Sequence, residues 1–125
     1  MTTSSQDSEQ IDLLNGVLKE YLEEFPGMKA AIFVSDQGLT ISSATVPGVD
    51  VAVIAALVVE TVTTAERFGI QVDGGFLKTM SIEFEELTVV LTPFTPDVML
   101  ALVASSDSFS ERIGASIIGN LRRRE

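Results

Sequence analysis

Two stretches of this chain, Ala30 to Ser35 (AAIFVS) and Val98 to Ala104 (VMLALVA), are apolar at odd and even positions alike. Successive side chains of a strand point to opposite faces, so a strand of this kind has to be covered on both sides. A sheet built around them therefore needs a helical layer above and below, and the rest of the chain must provide it.

Helical spacing is found where that layer requires it. Ile11, Leu14, Leu18, Tyr21, Leu22 and Phe25 recur at steps of three and four and predict a helix over residues 8–25. Asp7 or Ser8 is its expected N-cap, Pro26-Gly27 its stop, and residues 1–7, rich in Ser and Thr, a flexible tail. Val51, Ile54, Ala55, Val58, Val62 and Ala65 make a second stripe over 50–67, with Asp50 at the N-cap position. The stretch is rich in β-branched residues, which lowers its helix preference, and Val58 to Thr64 also fits a strand. No turn signal interrupts the run, so helix is the reading adopted. Its apolar surface is wider than one sheet contact uses, which points to a second contact. Phe109, Ile113, Ile117 and Leu121 mark a last helix capped by Asp107 or Ser108, with Arg122 to Arg124 at its negative pole.

Turns separate the remaining strands. Asp36-Gln37-Gly38 joins Ala30–Ser35 to an alternating strand at Leu39 to Ser43, making a hairpin. After Asp73-Gly74-Gly75 the period becomes two: Lys78, Met80, Ile82 and Phe84 share one face, and Thr79, Ser81, Glu83 and Glu85 the other. Glu85-Glu86 turns the chain into Leu87 to Thr92, and Thr95-Pro96-Asp97 turns it again into Val98 to Ala104. The expected order is α-β-β-α-β-β-β-α. This is an α+β fold with a five-stranded antiparallel sheet and helices on both faces, forming one domain over 8–124.

Composition narrows the function. The 125 residues include 18 acidic and 8 basic side chains, a formal charge of −10, which repels nucleic-acid phosphates and anionic headgroups. There is no Cys and no His, so thiol nucleophiles, thiolate metal sites and the commonest general base are all absent. The longest apolar run, Val51 to Val59, is too short to span a bilayer, and the N-terminus lacks the basic and apolar regions of a signal peptide. A cytoplasmic location is expected.

The stretch from Phe25 to Ile41, FPGMKAAIFVSDQGLTI, resembles the opening hairpin of the roadblock/dynein light-chain family. There a helix ends at Pro-Gly, an apolar strand follows, and a Ser-x-Asp-Gly-Leu turn leads into the second strand. Leu77 through Ile118 resembles the remainder, and the element order agrees over residues 8–122. Gln37, Lys29 and Glu85-Glu86 depart from the family's usual residues at their positions. Longin and profilin-like folds share much of the layout.

The resemblance implies a non-catalytic dimer, formed with a second copy or a paralogous roadblock protein. Pairing would use the helix at 50–67 and the strand at 76–85 and join two sheets edge to edge. It also implies a platform for a small Ras-like GTPase, whose hydrolysis some relatives stimulate, or for tethering motor and signalling complexes. The candidate interface residues are Val53, Leu57, Glu60, Thr61, Thr64, Lys78, Met80, Ile82 and Phe84. An edge strand without proline leaves open hydrogen-bonding groups that a two-fold partner can close.

Other chemistries fare worse. Asp73-Gly74-Gly75-Phe76-Leu77-Lys78-Thr79 superficially suggests a phosphate loop, but its lysine does not follow a glycine at the required spacing. Glu83 and Glu85, on one strand face with Glu86 beside them, could hold a hard cation or act as an acid/base pair in a metal-dependent hydrolase. A solvated strand face explains them more simply. No serine sits in a nucleophile elbow. The arginine cluster could meet an anion, although complementing a helix dipole suffices to explain it. No catalytic residue, cofactor or metal is expected. The alternative to a GTPase regulator is a passive scaffold subunit that does not sense nucleotide.

Overall fold

The computed structural model describes residues 3–106, with side chains from Asp12 onward, Tyr21 excepted. The expected last helix and its arginines lie outside the described residues. Within them the order is α1 (Thr3–Glu24), β1 (Met28–Ser35), β2 (Thr40–Thr45), α2 (Val51–Gln71), β3 (Met80–Glu83), β4 (Leu87–Thr95) and β5 (Val98–Ser105). The strands form one antiparallel sheet in the order β2-β1-β5-β4-β3.

Both doubly apolar segments are inner strands, paired side by side from Met28↔Ala104 to Ser35↔Val98. Their alternation sorts the core into two layers. Ala31, Phe33, Leu100 and Leu102 join Val17 and Leu18 of α1 on one face, with Phe33 and Phe94 rings 4.9 Å apart. Ala30, Ile32, Val34 and Ala101 join Ala55, Val58 and Val62 of α2 on the other. The buried alanines on that side let α2 lie close to the strands.

Asp50 caps α2 as expected: its backbone is extended and its carboxylate accepts the Val53 N–H at 3.3 Å. Gly27 and Gly38 occupy the left-handed turns ahead of β1 and β2, with φ of 90° and 84°. At Gly38 the Ser35 hydroxyl also accepts the N–H groups of Gln37 and Leu39, which holds the hairpin tight.

Boundaries moved where propensity was the only guide. α1 starts at Thr3 rather than near residue 8, so Asp7 and Ser8 are inside the helix and not at its cap, and residues 3–7 of the expected tail belong to it. Polar residues in a helix cost only tenths of a kcal/mol each, about 0.7 at most, too little to forbid it. α2 continues through Gly69 to Gln71 instead of ending at 67. A helical glycine costs about 1 kcal/mol against alanine but breaks no hydrogen bond. The stop comes at Asp73, which takes φ 57°, while the Gly74 N–H returns to the Gly69 carbonyl at 2.8 Å.

One polar contact ties α1 to the edge of the sheet. Asn15 Oδ1 accepts the hydroxyl of buried Ser42 and, at 3.2 Å, the backbone N–H of Ser43. Asn15→Ala strands both donors, so stability should fall by about 1–3 kcal/mol. A denaturant titration reads this directly, and an unchanged midpoint would mean that water replaces the amide.

Candidate functional site

α2 has three differently used flanks. Ala55, Val58 and Val62 are buried against the sheet. On another flank Val53 and Leu57 are 52% and 53% exposed, followed along the helix by Glu60, Thr61, Thr64 and Phe68. Helical spacing of three and four stacks these side chains along one side. The two threonines present less polarity than their type suggests. Thr61 Oγ1 donates to the Leu57 carbonyl at 2.7 Å and Thr64 Oγ1 to the Glu60 carbonyl at 3.0 Å, so both hydroxyls are spent within the helix.

This flank meets the edge of the sheet at β3, which has β4 as its single neighbour. Met80 packs into the α2-side layer, and Ile82, two residues on, shares that face. Two expectations for this strand need correction. Lys78 precedes it and Phe84 follows it, because only Met80 to Glu83 have partners on β4. At Lys78 the Thr92 hydroxyl donates to the backbone carbonyl at 2.9 Å, a side-chain bond in place of a ladder bond. At the other end the Phe84 N–H donates to the Leu87 carbonyl at 2.7 Å and closes the turn, leaving the Phe84 side chain exposed. Glu85 is in that turn too, so Glu83 and Glu85 do not share a strand face. Among the described residues no group of three acidic side chains is placed to hold a metal ion.

The structure thus brings together Glu60, Thr61 and Thr64 of α2 with Met80 of β3, around an open groove of about 470 Å³ that Ala65 and Phe68 complete. Val53 and Leu57 continue the same flank toward the start of the helix. Phe68 was missed in the sequence because the helix was ended at 67. Continuing the three-four spacing from Leu57 through Thr61 and Thr64 reaches it. Ile70 and Val72, both exposed, extend the apolar surface past the end of α2.

The Roadblock/LC7 domain family model matches residues 14–104, from the middle of α1 to the end of β5. No curated protein matches the chain by sequence. Among solved structures, a Roadblock/LC7 domain from Streptomyces avermitilis is similar at 18% identity and a TM-score of 0.77, covering 88% of this chain and 95% of that one. Myxococcus xanthus MglB is similar at 17% identity and a TM-score of 0.81, over 92% of this chain and 89% of that one. An MglB in a tetrameric arrangement is similar at 14% identity and a TM-score of 0.76, over 90% and 88%. At these identities the likeness is one of fold. No helix among the described residues is long and apolar enough to cross a membrane.

Proposed function

The chain belongs to the Roadblock/LC7 family, and from that premise we propose that it is a non-catalytic dimeric adaptor that binds and regulates a small Ras-like GTPase in the cytoplasm. The observation that carries the dimer is the joining of an exposed apolar helix flank to a sheet edge at one seam. The opposite edge, β2, is the weaker candidate: it carries Thr40, Ser42, Ser43 and Thr45, and α1 packs beside it. β3 supplies open backbone groups that set the register of a two-fold pairing. With only four residues it offers few hydrogen bonds, so the flank of α2 supplies most of the buried area. The tetrameric MglB shows that a similar fold associates with itself, which supports the reading. Self-association and pairing with a paralogous roadblock chain use the same surface.

Regulation on such a platform is mechanical. A dimer that binds one nucleotide state of a GTPase better than the other shifts the partner's switch loops by that difference in affinity and by no more. Stimulated hydrolysis would follow where the preferred state is the one competent for it, with the partner's own residues doing the chemistry.

The test has two parts. Light scattering at micromolar concentration should give twice the mass of one chain, and a single-chain mass ends the homodimer reading. Immobilised protein should retain a Ras-like GTPase from extract about tenfold better with a non-hydrolysable GTP analogue than with GDP, or the reverse, corresponding to about 1.4 kcal/mol of preference. Equal capture in both states, together with large structural partners, would instead identify a passive scaffold.

A further inference from the structure

The third flank of α2 borders a second groove, unrelated to the β3 seam. Its volume is about 660 Å³, and it runs between Val59, Thr63 and Glu66 of the helix, with the buried Val58 and Val62 beneath them, and the ends of the β1–β2 and β4–β5 hairpins. The two hairpin ends are locked together by the Asp36 N–H donating to the Asp97 carbonyl at 3.0 Å, so the wall they form is preset. The floor is apolar, from Val62, Pro93 and Met99. Asp36, Glu66 and Asp97 stand exposed around it, and among the described residues no Lys or Arg lines it. Phe76 stands at its mouth with 99% of its surface open. An aromatic ring with no cover from the described residues, beside an apolar floor and a rim whose charged groups are acidic, defines the chemistry of an occupant: bulky apolar groups flanked by cations.

We propose that this groove docks a basic amphipathic segment of a partner protein, its apolar side chains on Val62, Pro93, Met99 and Phe76 and its Lys or Arg heads on Asp36, Glu66 and Asp97. A second copy of this acidic chain is the poorer fit, because its charge of −10 opposes that rim. The inference does not depend on the GTPase reading or on the β3 seam, which lies along another flank of α2.

Fluorescence anisotropy of the full chain with a short labelled peptide of Leu and Lys tests it, alongside the same peptide with Glu in place of Lys. The Lys peptide should bind and the Glu peptide should not. Asp36→Asn, Glu66→Gln and Asp97→Asn together should weaken binding about tenfold. Phe76→Ser should also weaken it, without loss of fold, since the ring touches nothing that holds the domain together. Glu20→Gln, Glu23→Gln and Glu24→Gln remove the same charge from α1, on the opposite face of the sheet, and should leave binding unchanged. Equal weakening by both triple variants would reduce the effect to net charge and overturn the proposal. So would equal binding of the two peptides. Binding that is lost as protein concentration rises would assign the groove to a second copy. Binding that emerges only after Arg122, Arg123 and Arg124 become Gln would assign it to the chain's own terminus. Either result overturns the proposal.

Discussion

Val53→Asp with Leu57→Asp should turn a dimer into monomers while leaving the domain folded. Both side chains are about half exposed and take no part in the α2-side core. A carboxylate there meets water in the single chain and costs the fold little. In a two-fold interface each substitution is present twice, so four carboxylates would be buried without partners. An unpaired buried charge costs several kcal/mol, and about 1.4 kcal/mol is a factor of ten, so association should weaken by at least about a hundredfold. Sedimentation would show the mass of one chain where the parent gives two, with an unchanged far-UV spectrum. A variant that keeps the parent's mass would remove α2 from the interface. Capture of a GTPase by the monomeric variant, undiminished, would show that the platform does not need two copies.

Phe33→Ala should be the most damaging single truncation. The ring is fully buried at the centre of the sheet, opposite Leu100 on β5 and tilted against Phe94. Its removal leaves a cavity that the neighbouring strands β2 and β5 cannot close, since their backbones are held by ladders to β1. Truncation of a buried Phe costs about 3–5 kcal/mol, against a total of about 5–15 kcal/mol for a domain of this kind. Urea titration should show the midpoint fall by a large fraction, whereas Phe76→Ala, at a ring that is 99% exposed, should change it by no more than about 0.5 kcal/mol. A small effect at Phe33 would mean that the layer repacks around the gap.

The contrast between these two phenylalanines marks what can be read from a sequence. Phe33 lies in a run where every neighbour is apolar, and its burial follows from the run. Phe76 follows two glycines and looks equally suited to a core, yet nothing in the described chain covers it. The same difference separates the strands. Ala30–Ser35 and Val98–Ala104 were legible as inner strands, and their register side by side agrees with that reading. The alternation from Lys78 to Glu85 was equally regular, but four of those residues alone find partners on β4. Alternation is a property of the segment, while pairing depends on where another segment ends.

By itself, then, the sequence determined the layers. Its two doubly apolar segments required a covered sheet, its Pro26-Gly27 stop and its Asp36-Gln37-Gly38 and Thr95-Pro96-Asp97 turns placed the end of the first helix and two of the hairpins, and its residue order carried the likeness to the Roadblock/LC7 family that the family match bears out. These are local signals, set by how each residue compares with its near neighbours and by the backbone angles that glycine and proline allow. Only the tertiary structure decided that α2 runs on to Gln71, that β3 is short, and that Glu60, Thr61 and Thr64 meet Met80 along one seam while Asp36, Glu66 and Asp97 surround another groove. Those outcomes depend on contacts between residues far apart in the chain, whose free energies no local period encodes.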